Sequence, residues 1–189
     1  MKFPKIQYNA PVVLTFSILC CLVYMLSATF TRGLTDNFFA LRASFSFTNP
    51  LDYFRILSYT IGHANSGHLL GNLTFILLLG PILEEKYGSK KVLTMMIVTA
   101  IVTGILHVLT SSLAGLLGAS GIVFLFIILA SIVDTKAGHV PLTFILVALI
   151  YLGKEFADIF RNDNVSQLAH ICGGGIAAFF GFFLSGKKG

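Results

Sequence analysis

Charge is scarce in this chain: Asp, Glu, Lys and Arg make up only 11% of its 189 residues, where a soluble domain carries about a quarter. With 56% hydrophobic residues and a mean hydropathy of +0.86, that scarcity excludes an ordinary soluble domain and predicts an integral membrane protein in contact with the lipid bilayer. A basic stripe is missing too. The net charge is +5, but lysines and arginines stand at the ends of apolar runs, the pattern of membrane-flanking charge and not of a nucleic-acid surface. The cysteines, Cys20, Cys21 and Cys172, are odd in number, lie inside apolar segments and lack ligand spacing. They read as small buried hydrophobes without a disulfide framework. No internal repeat or low-complexity tract divides the chain, so residues 1–189 read as one membrane domain.

Long apolar runs are what the chain does have. Six of them, near 11–30, 66–83, 91–110, 118–133, 141–157 and 167–185, are long enough to cross or nearly cross a ~30 Å hydrocarbon core. Backbone groups must be paired in lipid, and no ten-residue alternation suggests a barrel, so the runs are predicted helices in an all-α bundle of six. The first run has no small-x-small cleavage site and reads as a retained span. If every run crosses, Lys2, Lys5, Lys86, Lys90, Lys91, Lys136, Lys187 and Lys188 fall on one side and Arg32, Arg42, Arg55, Lys154 and Arg161 on the other. The excess places both termini in the cytoplasm and the starts of the second, fourth and sixth runs at the outer side. The loop over 31–62 is too long for a connector and too apolar for water. It is expected in the membrane interface, with Arg32, Arg42, Asp52 and Arg55 toward headgroups and its aromatics toward lipid.

The fourth run, 118–133, rises only about 24 Å. With its Asp134–Lys136 end at the cytoplasmic surface, its start lies inside the membrane. Residues 111–117 must dip to meet it, and irregular backbone at depth needs protein or a water-filled cavity around it. That start is Gly118-Ala119-Ser120-Gly121, a serine between glycines. It can carry a nucleophile, or the glycines can serve only close packing. His170 opens the last run, where Gly173, Gly174, Gly175 and Ala177 form a small-residue face able to pack on Gly118 and Gly121. On the second run His68 and Asn72 are i and i+4 and share a face. They can supply two donors to a developing oxyanion, or pair with a neighbouring helix. His63 and His68 are five apart and the His-Glu-x-x-His arrangement is absent, so a zinc site is not expected. Glu84, Glu85 and Lys86 close the second run, with Glu84 either solvated or tying helices together. His107 reads as a packing or interfacial residue and His139 as a loop residue. Asp134, Asp158 and Asp163 lie at ends or in loops, leaving no third triad member, so a catalytic unit would be a Ser-His dyad.

Phe54-Arg55, His63 with His68-x-x-x-Asn72, Glu84 with Gly88, Gly118-Ala119-Ser120-Gly121 and Ala169-His170-x-x-Gly173 together resemble the rhomboid family of intramembrane serine proteases, in its minimal six-helix bacterial form. The resemblance implies Ser120 as nucleophile and His170 as general base. It implies an oxyanion hole of His68, Asn72 and the Ser120 N–H, supported by His63, with Gly118, Gly121 and Gly173 at the helix approach. Arg55 would hold the first loop and Glu84 would bond to the ends of neighbouring helices. Substrates would be transmembrane segments of membrane proteins, with no cofactor or metal, in a bacterial cytoplasmic membrane. Departures from the family are Phe54 where many members have Trp, and Leu125 and Ile128 where glycines often follow the serine. Two alternatives remain at this point. One is a proteolytically inactive rhomboid-like protein that binds membrane helices, although such relatives typically lack the Ser or His kept here. The other is a small channel or transporter, for which no inverted repeat or paired broken helices are visible.

Overall fold

The computed structural model describes residues 6–30, 33–42, 44–110, 115–133, 139–147, 149–150, 174–176 and 178–180. Among these the secondary structure is helical, with one isolated antiparallel bridge between Leu41 and Leu116. The elements are α1 (Pro11–Thr29), α2 (Leu34–Phe38), α3 (Pro50–Ser58) with a 3-10 turn over Tyr59–Ile61, α4 (Ser66–Tyr87), α5 (Ser89–Thr110) and α6 (Ser120–Ile132). Residues 142–147, 149–150, 174–176 and 178–180 are also helical. Most of the fifth and sixth predicted spans, and with them His170 and Gly173, lie outside the described residues.

Three helices, α1, α4 and α5, are long and apolar enough to cross a membrane, and α6 is a shorter apolar helix. At 22 residues α4 and α5 each rise about 33 Å. Helix α4 runs to Tyr87 and not only to 83, continuing through Pro81, because Glu84, Glu85 and Lys86 are good helix formers and no breaker stands between Leu83 and Gly88. That glycine takes φ +82 and is the single residue between α4 and α5. Helix α6 starts at Ser120, two residues later than the apolar run, because Gly118 has φ +105 and cannot be helical.

Helix α6 is apolar on every side, as expected of a helix enclosed by others. Leu125, Phe126 and Leu129 are fully buried, and α4 and α5 pack against it. Helix α4 lies between α1 and α6. The three meet at Gly80, where a Cβ would stand 2.6 Å from Val13 Cγ2 and 3.0 Å from Phe126 Cε2. Large apolar side chains such as Leu22 and Met25 of α1, Leu70 and Leu78 of α4 and Leu109 of α5 point outward, as lipid-facing surfaces do.

The first loop departs from its expected arrangement. Tyr53, Phe54 and Leu57 of α3 do face outward, but Asp52, Arg55 and Ser58 are buried. Arg55 pairs with Asp52 and donates from Nε and an Nη to the carbonyl of Asn37, while Ser58 Oγ donates to the carbonyl of Phe38. Asp52 and Arg55 satisfy loop backbone in place of headgroups, so α3 is an amphipathic helix turned polar side in, while Arg42 is exposed as expected and Arg32 lies outside the described residues. Burial tends to raise the Asp52 pKa, but the Ser46 N–H and the Arg55 guanidinium outweigh it and hold the carboxyl below its usual range.

Candidate active site

The approach to α6 is irregular backbone, and the first loop supplies its partners. Leu41 N–H donates to Leu116 O at 2.9 Å and Leu116 N–H to Leu41 O at 2.8 Å. Gly118 N–H then donates to Tyr59 O at 2.9 Å. Pairing by protein, one of the two conditions for unwound backbone at membrane depth, is therefore met for Leu116 and Gly118. The positive φ at Gly118 turns the chain sharply into α6. The first intrahelical bond there is Val123 N–H to Ala119 O at 2.9 Å. The N–H groups of Ser120, Gly121 and Ile122 precede it and lie at the positive end of the helix dipole. Ser120, partly buried, is the first helical residue.

His68 and Asn72 come to this point from the first two turns of α4. Asn65 caps that helix by accepting from His68 N–H at 2.8 Å, which fixes where the i, i+4 face begins. A Cβ on Gly118 would overlap the Cε1–Nε2 edge of the His68 ring and stand 3.6 Å from Asn72 Nδ2. The φ of +105 favours glycine at 118, and any side chain there would have to displace the His68 ring. Asn72 is 7% exposed, and its Nδ2 has no hydrogen-bond partner among the described residues. A buried donor left unpaired costs about 1–3 kcal/mol and asks for an explanation, of which a catalytic role is one.

His63 lies behind His68, ring edge to face at a centroid distance of 5.1 Å. Its Nδ1 sits 3.3 Å from Ile61 O, so that nitrogen carries the proton in the neutral ring. Burial first, and the neighbouring His68 second, push its pKa down to about 4 against the weaker opposite pull of the Ile61 carbonyl. His63 is neutral at physiological pH. His107, on α5, is fully buried, and His139 is exposed. Among the described residues no group of three His, Cys, Asp or Glu side chains converges as metal ligands.

At the other end of α4, Glu84 is 4% exposed. Its Oε1 accepts from Val12 N–H and its Oε2 from Val13 N–H, both at 3.0 Å. Ala10 gives α1 no side-chain cap, and Glu84 caps it from another helix. Arg55 holds α3 to the carbonyl of Asn37, as described above. Gly121 is buried in the first turn of α6. Gly174, the first described residue after Gly173, lies against α6: a Cβ there would be 3.9 Å from both Phe124 and Ile128. The bulk of Ile128 is accommodated by a small residue on the facing segment. Ser120, Phe124 and Ile128 share one stripe of α6.

Tyr59 and Leu41 were not singled out as site residues from the sequence, because their part is played by backbone groups that residue identity does not reveal. One signal was present. Asp52, Arg55, Ser58 and Tyr59 repeat at helical spacing in an otherwise apolar loop, marking the face turned toward the protein.

Comparison of the sequence with known proteins identifies its family. The rhomboid-domain family model matches residues 50–187. Rhomboid protease GlpG of Haemophilus influenzae is 25% identical over 175 residues, covering 90% of this chain and 89% of that protein. Rhomboid-like protease 3 of Toxoplasma gondii is 32% identical over 123 residues, 62% of this chain and 46% of that one. With its apolar spans and a domain match over well over half of its length, this membrane protein belongs to the rhomboid family.

Proposed function

We propose that this chain is an intramembrane serine protease that cleaves transmembrane segments of membrane proteins. The observation that carries the reading is the convergence of His68, Asn72 and the Gly118 backbone at the N-terminus of the helix that Ser120 opens. In this reading the His68 and Asn72 side chains and the Ser120 N–H would donate to the oxygen of a tetrahedral intermediate on Ser120.

In this mechanism His170 takes the Ser120 hydroxyl proton as Oγ attacks the scissile carbonyl carbon. The oxyanion is held by Asn72 Nδ2, His68 and the Ser120 N–H. His170 returns the proton to the leaving amine, and water then releases the acyl group from Ser120. Support for His170 comes from Gly174, which lies against Phe124 and Ile128. His170 precedes Gly174 by the same four residues by which Ser120 precedes Phe124. Substrate helices hide their carbonyls in i to i+4 bonds, so helix-breaking residues near the cut favour attack. The charge bias supports a site toward the outer side with both termini in the cytoplasm, and the minimal architecture fits a bacterial cytoplasmic membrane.

The test compares detergent-solubilised protein with its Ser120→Ala variant on single-span membrane substrates, read by fragment mass. Cleavage by the first and none by the second is expected. Equal cleavage by both would remove Ser120 from the chemistry. Activity is also expected to fall as pH drops through the histidine range, about 6.5 for an unperturbed imidazole. A flat profile would remove His170 as the base.

A further inference from the structure

Tyr59 is 2% exposed and ends α3, yet its bonds reach three other parts of the fold. Its carbonyl accepts from Gly62 N–H at 3.2 Å, closing the turn that leads to His63, and from Gly118 N–H at 2.9 Å. Its hydroxyl donates to the carbonyl of Ala100 on α5 at 3.2 Å. The ring is buried in a small cluster with Leu41, Ala100 and Leu116, the two leucines being the bridged pair. One residue therefore joins the first loop, the transmembrane helix α5 and the backbone two positions before Ser120.

The consequence follows from where Gly118 sits. Its Cα already touches the limit of approach to His68, since a single added carbon would overlap that ring. A displacement of a few tenths of an ångström at Gly118 changes the spacing between Asn72, His68 and the Ser120 N–H together. The anchor of Gly118 from the first loop is the Tyr59 carbonyl, whose own position is held by the end of α3, where Tyr59 N–H donates to Arg55 O and Leu57 O, and by the phenol bond to Ala100 of α5. We infer that Tyr59 is a positioning residue for oxyanion binding: the hydroxyl bond to Ala100 fixes the carbonyl that holds Gly118, and so fixes the Ser120 backbone against His68 and Asn72. This rests on the protease reading above and gives the first loop a part in that site.

Tyr59→Phe removes the hydroxyl and keeps the ring in its cluster. Two readouts separate the possibilities, one of them independent of activity. Amide hydrogen exchange in detergent is expected to rise in the peptide over 115–122 and to stay unchanged in α1 and in the middle of α4. Unchanged exchange over 115–122 overturns the inference whatever the enzyme does. The second readout is the rate at which Ser120 is labelled by a fluorophosphonate, alone and combined with Asn72→Ala. A drop of about tenfold in the otherwise native protein, shrinking to less than about twofold when Asn72 is already gone, is expected of a residue that acts through the oxyanion hole. Equal drops in both backgrounds, or faster exchange with labelling untouched, overturn it as well. Wild type that never labels while exchange responds as expected sinks the protease reading, and the inference with it, through a pattern distinct from the other failures.

Discussion

The two ends of α4 each carry a buried polar side chain, and they treat it oppositely. At one end both oxygens of Glu84 accept a backbone N–H from the uncapped start of α1. At the other, Asn72 is buried to a similar degree but its Nδ2 has no partner among the described residues. A satisfied group stabilises the fold; an unsatisfied donor costs stability and is suited to bind something that arrives later. On the proposed protease reading, the same helix separates holding the bundle together from doing chemistry in it. Substitutions at its two ends should move different observables.

The largest effect is expected at the meeting point itself. Gly118→Ala puts a methyl into the His68 ring and asks an alanine to adopt φ +105. Turnover should fall by about a thousandfold or more, because both side-chain donors and the nucleophile's backbone are displaced together. Proteolysis assays with intact helical circular dichroism check it, and turnover near wild type would mean that the close approach of Gly118 to His68 plays no part in catalysis.

Asn72→Ala comes next. Losing one positioned donor costs about 3–4 kcal/mol of transition-state stabilisation, so turnover should fall by about a hundredfold or more. The thermal midpoint should hold or rise, since a buried unpaired donor is removed. Glu84→Gln should give the reverse. An amide can accept from one of Val12 and Val13 but presents its own N–H groups to the other, and the loss of a charge-assisted bond at a helix start costs about 1–3 kcal/mol. The midpoint should drop while turnover per folded molecule is retained. If both substitutions lowered the same observable, the division between the two ends of α4 would collapse.

The transmembrane helices were legible from sequence because length and hydropathy decide them: α1, α4 and α5 begin and end within a few residues of the apolar runs. Glu84 and Gly118 were marked as site residues, but their geometry was not. That Glu84 meets α1 depends on α1 packing beside α4, a tertiary contact between residues about seventy positions apart. The arrangement of α3 was misread for a physical reason. Charges in an interfacial loop can reach headgroups or loop carbonyls, and composition does not distinguish the two. Burial of Asp52 and Arg55 shows that the exposed backbone of the loop, at Asn37 and Ser46, was the stronger claimant. The stabilising bonds of the approach to Ser120 come from the carbonyls of Leu41 and Tyr59, which any residue carries.

The smallest expected effect is on His63, which lies beside His68 at the unsatisfied end of α4. Its imidazole is held neutral, with a pKa of about 4 in the fold against about 6.5 when unfolded. Above pH 6.5 neither state takes the proton and His63 adds no pH dependence. As pH falls from 6.5 toward 4 the unfolded chain binds a proton that the folded one refuses, so stability is lost progressively across that window and levels off below it. The thermal midpoint of the Ser120→Ala protein, free of self-cleavage, should therefore fall between pH 6.5 and 4.5, and His63→Gln should flatten part of that slope. A slope identical in both proteins would assign the acid sensitivity to other groups. Because His68 contributes to the depression of His63, removing His68 should shift the same slope to lower proton cost, linking the two rings without requiring either to titrate during catalysis.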